Sequence, residues 1–430
     1  MADLALSEPK LTTADGRPLA SALARANRRA KWRAFLLVAP LFLFVLVTFA
    51  IPIGQLLYRS VYNPGFTQNV DLGTGEATPV MTGIRDWFDA NPIGTEPDEA
   101  AFAALAEDLK RAAELRALGN IGTRINYDAP GTRSLFTAAG RRADGLAPPY
   151  REALLGLDPK WADPALWAAM RAASSAHTLN FYVAALDRRV AVDGSIERQP
   201  PEQRIYVSLF WRTMWISALI AGLCLLLGFP AAHLLATLPL RYSNLLMILV
   251  LLPFWTSLLV RTTSWMVLLQ SQGVVNNALV ATGAISDANR IPMMYNQTGT
   301  IIAMTHILLP FMILPLYSVM RTIPPAYVRA ARSLGASSWT AFRRIYLPQT
   351  VPGIGAGVLL VFILAVGYYI TPALVGGASG QLFSNMIAFH MQRSLNWSLA
   401  AALAALLLGA VLLLYWLYDR IIGIDNMKLG

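Results

Sequence analysis

The stretch RTIPPAYVRAARSLGASSWTAFRRIYLPQTVP, residues 321 to 352, is a polar, basic interruption between two long apolar runs. Good helix formers run from Ala326 to Leu334, and Gly335 is a natural helix stop. Ser337 or Ser338 can cap a second short helix running through Trp339 to Tyr346. The spacing therefore predicts two helices meeting at a glycine. Ala330, Ala331 and Leu334 make a shallow apolar face, and Arg321, Arg329, Arg332, Arg343 and Arg344 add positive charge with no carboxylate in the segment. Such a surface suits docking better than chemistry.

Outward from this stretch, the 430-residue chain is 55% hydrophobic and only 14% charged, the composition of a polytopic membrane protein. The net charge of +10 comes from arginines that flank apolar runs, a pattern of membrane topology and not of nucleic-acid binding. The single cysteine, Cys224, lies inside an apolar run and excludes a disulfide framework within the chain. No glycine-rich loop ends in Gly-Lys-Ser/Thr, so the chain carries no loop of that kind to cradle phosphates. His177, His233, His306 and His390 stand singly, without partners at metal-ligand spacing.

In chain order, residues 1–34 read as a basic cytoplasmic tail and 35–57 as a first span, longer than the apolar region of a signal peptide and without its small-residue cleavage site. Residues 58–206 hold no stretch able to cross a bilayer and read as a helical domain inserted on the outer side. Within it Pro97 to Leu118 is an amphipathic helix, with Glu99, Glu107, Asp108, Lys110 and Arg111 assigned to solvent. Asp158 to Leu186, with Trp161, Trp167 and Phe181, holds further helices. Residues 207–422 carry the remaining spans: 207 to 236, interrupted at Gly228 and Pro230, then 245 to 269, 301 to 320, 351 to 370 and 399 to 418. The loop 321–350 falls on the cytoplasmic side, as does the short end 423–430. The expected fold class is all-α integral membrane with six transmembrane helices.

The loop resembles the signature of the membrane subunits of binding-protein-dependent ATP-binding-cassette importers. That signature is Glu-Ala-Ala, a glycine four residues on, an isoleucine ten residues later, then Leu-Pro. Ala330, Ala331, Gly335, Ile345, Leu347 and Pro348 stand in this register, and Arg329 occupies the position usual for glutamate. The resemblance implies a type I importer permease fold in the bacterial inner membrane, both termini cytoplasmic, and a loop that fits a cleft in an ATPase subunit. It also implies no catalysis and no cofactor in this chain, ATP and Mg being bound by two ATPase subunits. A second permease subunit and a periplasmic substrate-binding protein complete the implied assembly; nucleic acid has no place in it.

Residues 252 to 269 (LPFWTSLLVRTTSWMVLL), 309 to 320 (LPFMILPLYSVM), 370 to 377 (ITPALVGG) and Leu395-Asn396-Trp397 are similar to the spermidine/putrescine-type permeases, which implies a polyamine cargo. Opine, iron, sulfate and thiamine importers share the loop, so the loop identifies the machine and not its cargo. A scaffold or receptor with an external partner-binding domain is the alternative of another class. Trp255, Trp265, Tyr295, Tyr368 and Tyr369 are candidates for a cationic route, or interfacial anchors. Arg261 is either an intramembrane functional charge or a snorkelling one. Pro253, Pro310, Pro315 and Pro372 mark either a cavity or static kinks, and Gly353 with Gly357 form a small-residue packing face. Between Glu202 and Asp419 the only carboxylate is Asp287, so this chain offers a polycation no buried anion.

Overall fold

The computed structural model describes residues 19–70 and 76–422. Much of the N-terminal tail and all of 423–430 therefore lie outside the described residues. Helix starts at Leu19, inside the stretch read as tail, because the alanines and arginines there are good helix formers. It continues through a π-helical turn, Leu46–Ala50, to Arg59. Asn27–Arg59 is long and apolar enough to cross a membrane.

From Arg59 onward the chain forms a second unit. Four further helices in it meet the same length and hydropathy test: Tyr206–Thr237, Gln297–Thr322, Ser338–Gly367 and Trp397–Arg420. The expected third span is instead a broken one. Leu240–Trp255 and Leu258–Ala281 meet at 96°. Pro253 lacks an N–H and disfavours helix in the residue before it, and Ser257 caps the new helix by accepting from the Val260 N–H at 3.2 Å. The reverse correction applies to the second span, which runs unbroken from Tyr206 to Thr237 through Gly228 and Pro230.

Tyr206–Thr237, Gln297–Thr322 and Ser338–Gly367 pack on one another around Ile216, Ile220, Cys224, Met304, Met312 and Val361. In lipid, apolar area alone does not hold helices together, and close approach of small residues matters more. A Cβ at Gly353 would lie 3.0 Å from Val319 Cβ and 3.2 Å from the Pro315 carbonyl, and one at Gly357 only 2.7 Å from Met312 Sδ. The predicted small-residue face therefore seats Ser338–Gly367, the fifth long helix when the broken span is counted as the third, on Gln297–Thr322, the fourth.

The inserted segment has two parts. The outer body, between Phe66 and Ala173, closes a core of its own around Phe102, Leu105, Leu109, Ile121, Phe136, Trp161 and Met170. Two short hairpins, Gln68–Val70 with Ala77–Pro79 and Arg188–Val190 with Ile196–Arg198, flank its helices. Both ends of the body leave through one antiparallel junction. Tyr62 faces His177, Asn63 N–H donates to the Ala176 carbonyl at 2.9 Å, and Thr178 N–H to that of Val61 at 2.8 Å. The following foot packs Phe181 and Ala185 against Tyr206, Leu209, Leu399 and Leu403. Asp187 then accepts the Ile205, Tyr206 and Val207 N–H groups at 3.1, 2.9 and 2.9 Å, capping the second long helix. Tyr127 Oη donates to the Ser394 carbonyl and Ser398 Oγ to that of Tyr62, both at 2.7 Å. The insertion is thus fastened to the last span and not hung from it.

Asp108 departs from its expected place on a solvent face: it is 5% exposed and accepts the Gly83 and Ile84 N–H groups at 3.1 and 2.8 Å. It caps the helix Thr82–Ala90, whose own leading residue, Met81, has φ +51° and offers no capping oxygen. Burial raises its carboxyl pKa, outweighing the two backbone donors that favour the anion. The native state therefore holds this proton to higher pH than the unfolded chain, and its contribution to stability falls as pH rises through that interval. Asp108→Ala leaves two inward N–H groups unmatched and should destabilise the outer body by roughly 1–3 kcal/mol, read as faster amide exchange confined to residues 82–112.

Candidate functional site

Two regions carry the candidate residues. In the first, Pro325–Ser333 is helical with proline in its first turn, where its missing N–H costs nothing. It ends as the glycine predicted. Ala336 N–H donates to the Ala331 carbonyl and Gly335 N–H to that of Arg332, each at 3.1 Å, with Gly335 at φ +90°. Ser337 Oγ accepts from Thr340 N–H at 3.2 Å and opens the next helix. That helix does not stop at Tyr346. After a π-helical turn, Phe342–Tyr346, it continues as Leu347–Gly367, so loop and fifth long helix form one rod.

Leu334 is 89% exposed, and Ala330 and Arg329 are exposed beside it; Ala331 is half-buried. Ile345 and Leu347 are half-buried and Pro348 exposed, so the second half of the motif seats the rod more than it faces outward. Arg329, Arg332, Arg343 and Arg344 are exposed and have no ion-pair partner among the described residues. Arg321 differs: its Nη1 donates to the Ala236 carbonyl at 2.8 Å, tying the loop's start to the end of the second long helix. The face thus sets exposed apolar side chains beside arginines that have no ion-pair partner among the described residues, a combination suited to burial against an acidic surface.

The second region surrounds the break in the third span. Trp265 Nε1–H donates to His306 Nδ1 at 3.1 Å, their rings 5.2 Å apart and edge to face. Thr262 and Thr371 hydroxyls meet at 3.1 Å in a buried contact. Arg261, one residue before Thr262, lies within electrostatic reach of His306 and Tyr368, and its Nε is buried without a hydrogen-bond partner among the described residues. Where the fifth long helix ends, the Tyr368 carbonyl accepts from Ser384 Oγ at 2.5 Å and the Tyr369 carbonyl from Asn385 Nδ2 at 2.8 Å. Polar side chains here replace the backbone partners lost at the helix end.

Arg261, Trp265 and Tyr368 thus come together, with Tyr369 adjoining through its backbone. Trp255 and Tyr295 are 73% and 65% exposed and make no hydrogen bond or ring contact with that group among the described residues. Asp287 is bound by Arg290 at 2.7 Å, and Arg290 also donates to Ser271 O and Asn277 Oδ1. The one carboxylate of this region is therefore already matched. Sequence reasoning missed His306, Thr262, Thr371 and the Asp187 cap, since none sits at a spacing that announces a partner far along the chain.

The family model for binding-protein-dependent transport system inner membrane components matches residues 224–422. Over 224 residues the chain is 37% identical to the spermidine/putrescine transport system permease protein PotB of Haemophilus influenzae, covering 52% of this chain and 78% of that protein. It is 40% identical over 210 residues to the protein of the same name from Escherichia coli K12, covering 48% and 76%. Among solved structures, a chain of a bacterial alginate ABC transporter in complex with an alginate pentasaccharide-bound periplasmic protein aligns at 20% identity and a TM-score of 0.42, covering 53% of this chain and 81% of that one.

Proposed function

Because this chain belongs to the family of binding-protein-dependent transport system inner membrane components, and is a multi-pass permease subunit and not an enzyme, we propose that it imports polyamines, such as spermidine or putrescine, in an ATP-driven complex. The observation that carries the cargo is its identity of 37% and 40% to proteins named for spermidine and putrescine transport. Family membership implies ATPase and substrate-binding-protein partners. The assembly proposed has two ATPase subunits, this chain, a second permease subunit and one periplasmic binding protein. Arg329, Ala330, Ala331, Leu334 and Gly335 meet the ATPase, while Ile345, Leu347 and Pro348 hold the docking segment to the fifth helix.

The cargo route passes the broken span, where Trp265 and Tyr368 present aromatic faces worth about 0.5–2 kcal/mol each to an ammonium group. Arg261 and the want of a free carboxylate favour a second cargo class, amines that also bear a carboxylate, as opines do. Uptake of labelled spermidine by membrane vesicles containing the complex tests the choice. Competition by excess putrescine supports polyamine import; competition by an opine alone supports the second class.

Orientation follows from the arginines flanking the spans. Reporter fusions should place residues 1–33, 321–350 and 420–430 in the cytoplasm and 60–205 in the periplasm. An insertion found inside would overturn the import direction as well as the topology.

A further inference from the structure

One feature of the loop lies outside the residues assigned to docking. Trp339, Phe342 and Tyr346 lie three and four residues apart, on one side of the rod, and their rings form a column. Trp339 stacks on Phe342 with centroids 5.7 Å apart and planes at 22°, and Phe342 on Tyr346 at 5.9 Å and 25°. The tip is in solvent, Trp339 being 68% exposed; the base is not, Tyr346 being 8% exposed. At the base Tyr346 meets His233 of the second long helix edge to face at 5.0 Å, its Oη 3.0 Å from His233 Nδ1. Phe229, one turn before His233, meets the edge of Phe342 at 6.1 Å.

We propose that Trp339, Phe342, Tyr346 and His233 form an aromatic relay that carries movement of the loop into the second long helix. This rests on the reading of the loop as the ATPase contact. Each ring has only two side-chain torsions and stacks on the next, so a displacement of the exposed tip is passed toward the buried base. The π-helical turn Phe342–Tyr346 spans the lower two rings, and such a turn marks a place where helical register can shift. Arg321 holds the loop's other end to Ala236, one turn beyond His233. The loop therefore grips the end of the second long helix at two points, one a backbone tether and the other a ring column. Tyr346 and His233 are positioning residues; neither lies on the exposed docking face.

The test is the number of substrate molecules taken up per ATP hydrolysed, measured on the whole complex in vesicles with spermidine-loaded binding protein. Phe342→Leu removes both stacks. It should retain the ATPase subunit and its basal hydrolysis, yet lower the transport ratio about tenfold, and Phe342→Tyr should restore most of the loss. Tyr346→Phe keeps the column and lacks only the hydroxyl, so a few-fold loss is expected, non-additive with His233→Ala. These ring-preserving variants read the relay even where Phe342→Leu lowers abundance. An unchanged ratio in Phe342→Leu and Tyr346→Phe overturns the relay while docking stands. Loss of the ATPase from the Phe342→Leu complex also overturns it, by making the rings part of the docking face. A wild-type chain that retains no ATPase overturns relay and docking together.

Discussion

Gly335→Val is expected to lower uptake by roughly ten- to a hundredfold with little change in membrane abundance, since a β-branched residue forced to positive φ costs on the order of 1–3 kcal/mol. The reason is conformational and not steric. Gly335 has φ +90°, and a Cβ built there meets nothing within 4 Å. Valine has room but not the backbone angle, so the turn must reopen, breaking the two bonds from Gly335 and Ala336 that close the preceding helix. Leu334 and Ala330 then point elsewhere, while the packed helices beyond Tyr346 are untouched. Gly335→Asn, which tolerates left-handed backbone better, should recover much of the loss. Arg329→Glu is a companion: Arg329 is exposed without an ion-pair partner among the described residues, so its reversal leaves this chain's fold alone. A fall in substrate-stimulated hydrolysis would then report an acidic contact on the ATPase, and near-neutrality a dispensable position.

The second large effect concerns the insertion, for which we propose a role in guiding the binding protein onto the membrane subunits. Removing residues 64–175 and joining Asn63 to Ala176 through an Asn-Gly turn should cut uptake at limiting binding protein at least about tenfold, an affinity loss near 1.4 kcal/mol. The junction permits this surgery. Asn63 N–H and the Ala176 carbonyl are already 2.9 Å apart, so a two-residue hairpin closes the gap. Phe181, Ala185 and the Asp187 cap stay in place, and with them the start of the second long helix. A wider excision, 65 to 200, would remove that cap and confuse a guiding role with damage to the membrane core. If the narrow deletion leaves binding-protein affinity and uptake unchanged, the outer body is a stabilising cap and not a guide.

Much of this was legible in residue order because membrane spans and helix stops are local signals. The apolar runs at 207–236 and 301–320 became long helices, the run at 351–370 did so only as far as Gly367, and Gly335 ends its helix as its neighbours required. The third span was misread for a physical reason: hydropathy sums through Pro253 without registering that Ser257 restarts the helix in a new direction. Asp108 was misassigned for a related one. A helix's amphipathic pattern shows which face is apolar, but not that the N-terminus of another helix, at Gly83 and Ile84, will need an acceptor there. The Asp187 cap, the Trp265–His306 bond and the Tyr346–His233 contact join residues 18 to 113 positions apart, and no periodicity encodes such a meeting. The 339, 342, 346 spacing of aromatics was visible, and its significance depended on finding His233 at its end.

The central claim, that this chain couples a separate ATPase to polyamine uptake through residues 321–350, is tested most directly by ATP hydrolysis in the purified wild-type complex with and without spermidine-loaded binding protein, alongside Gly335→Val. The account predicts strong stimulation in the wild-type complex, and in the variant an intact complex whose hydrolysis no longer responds. Equal stimulation in both, with equal spermidine uptake, would contradict it.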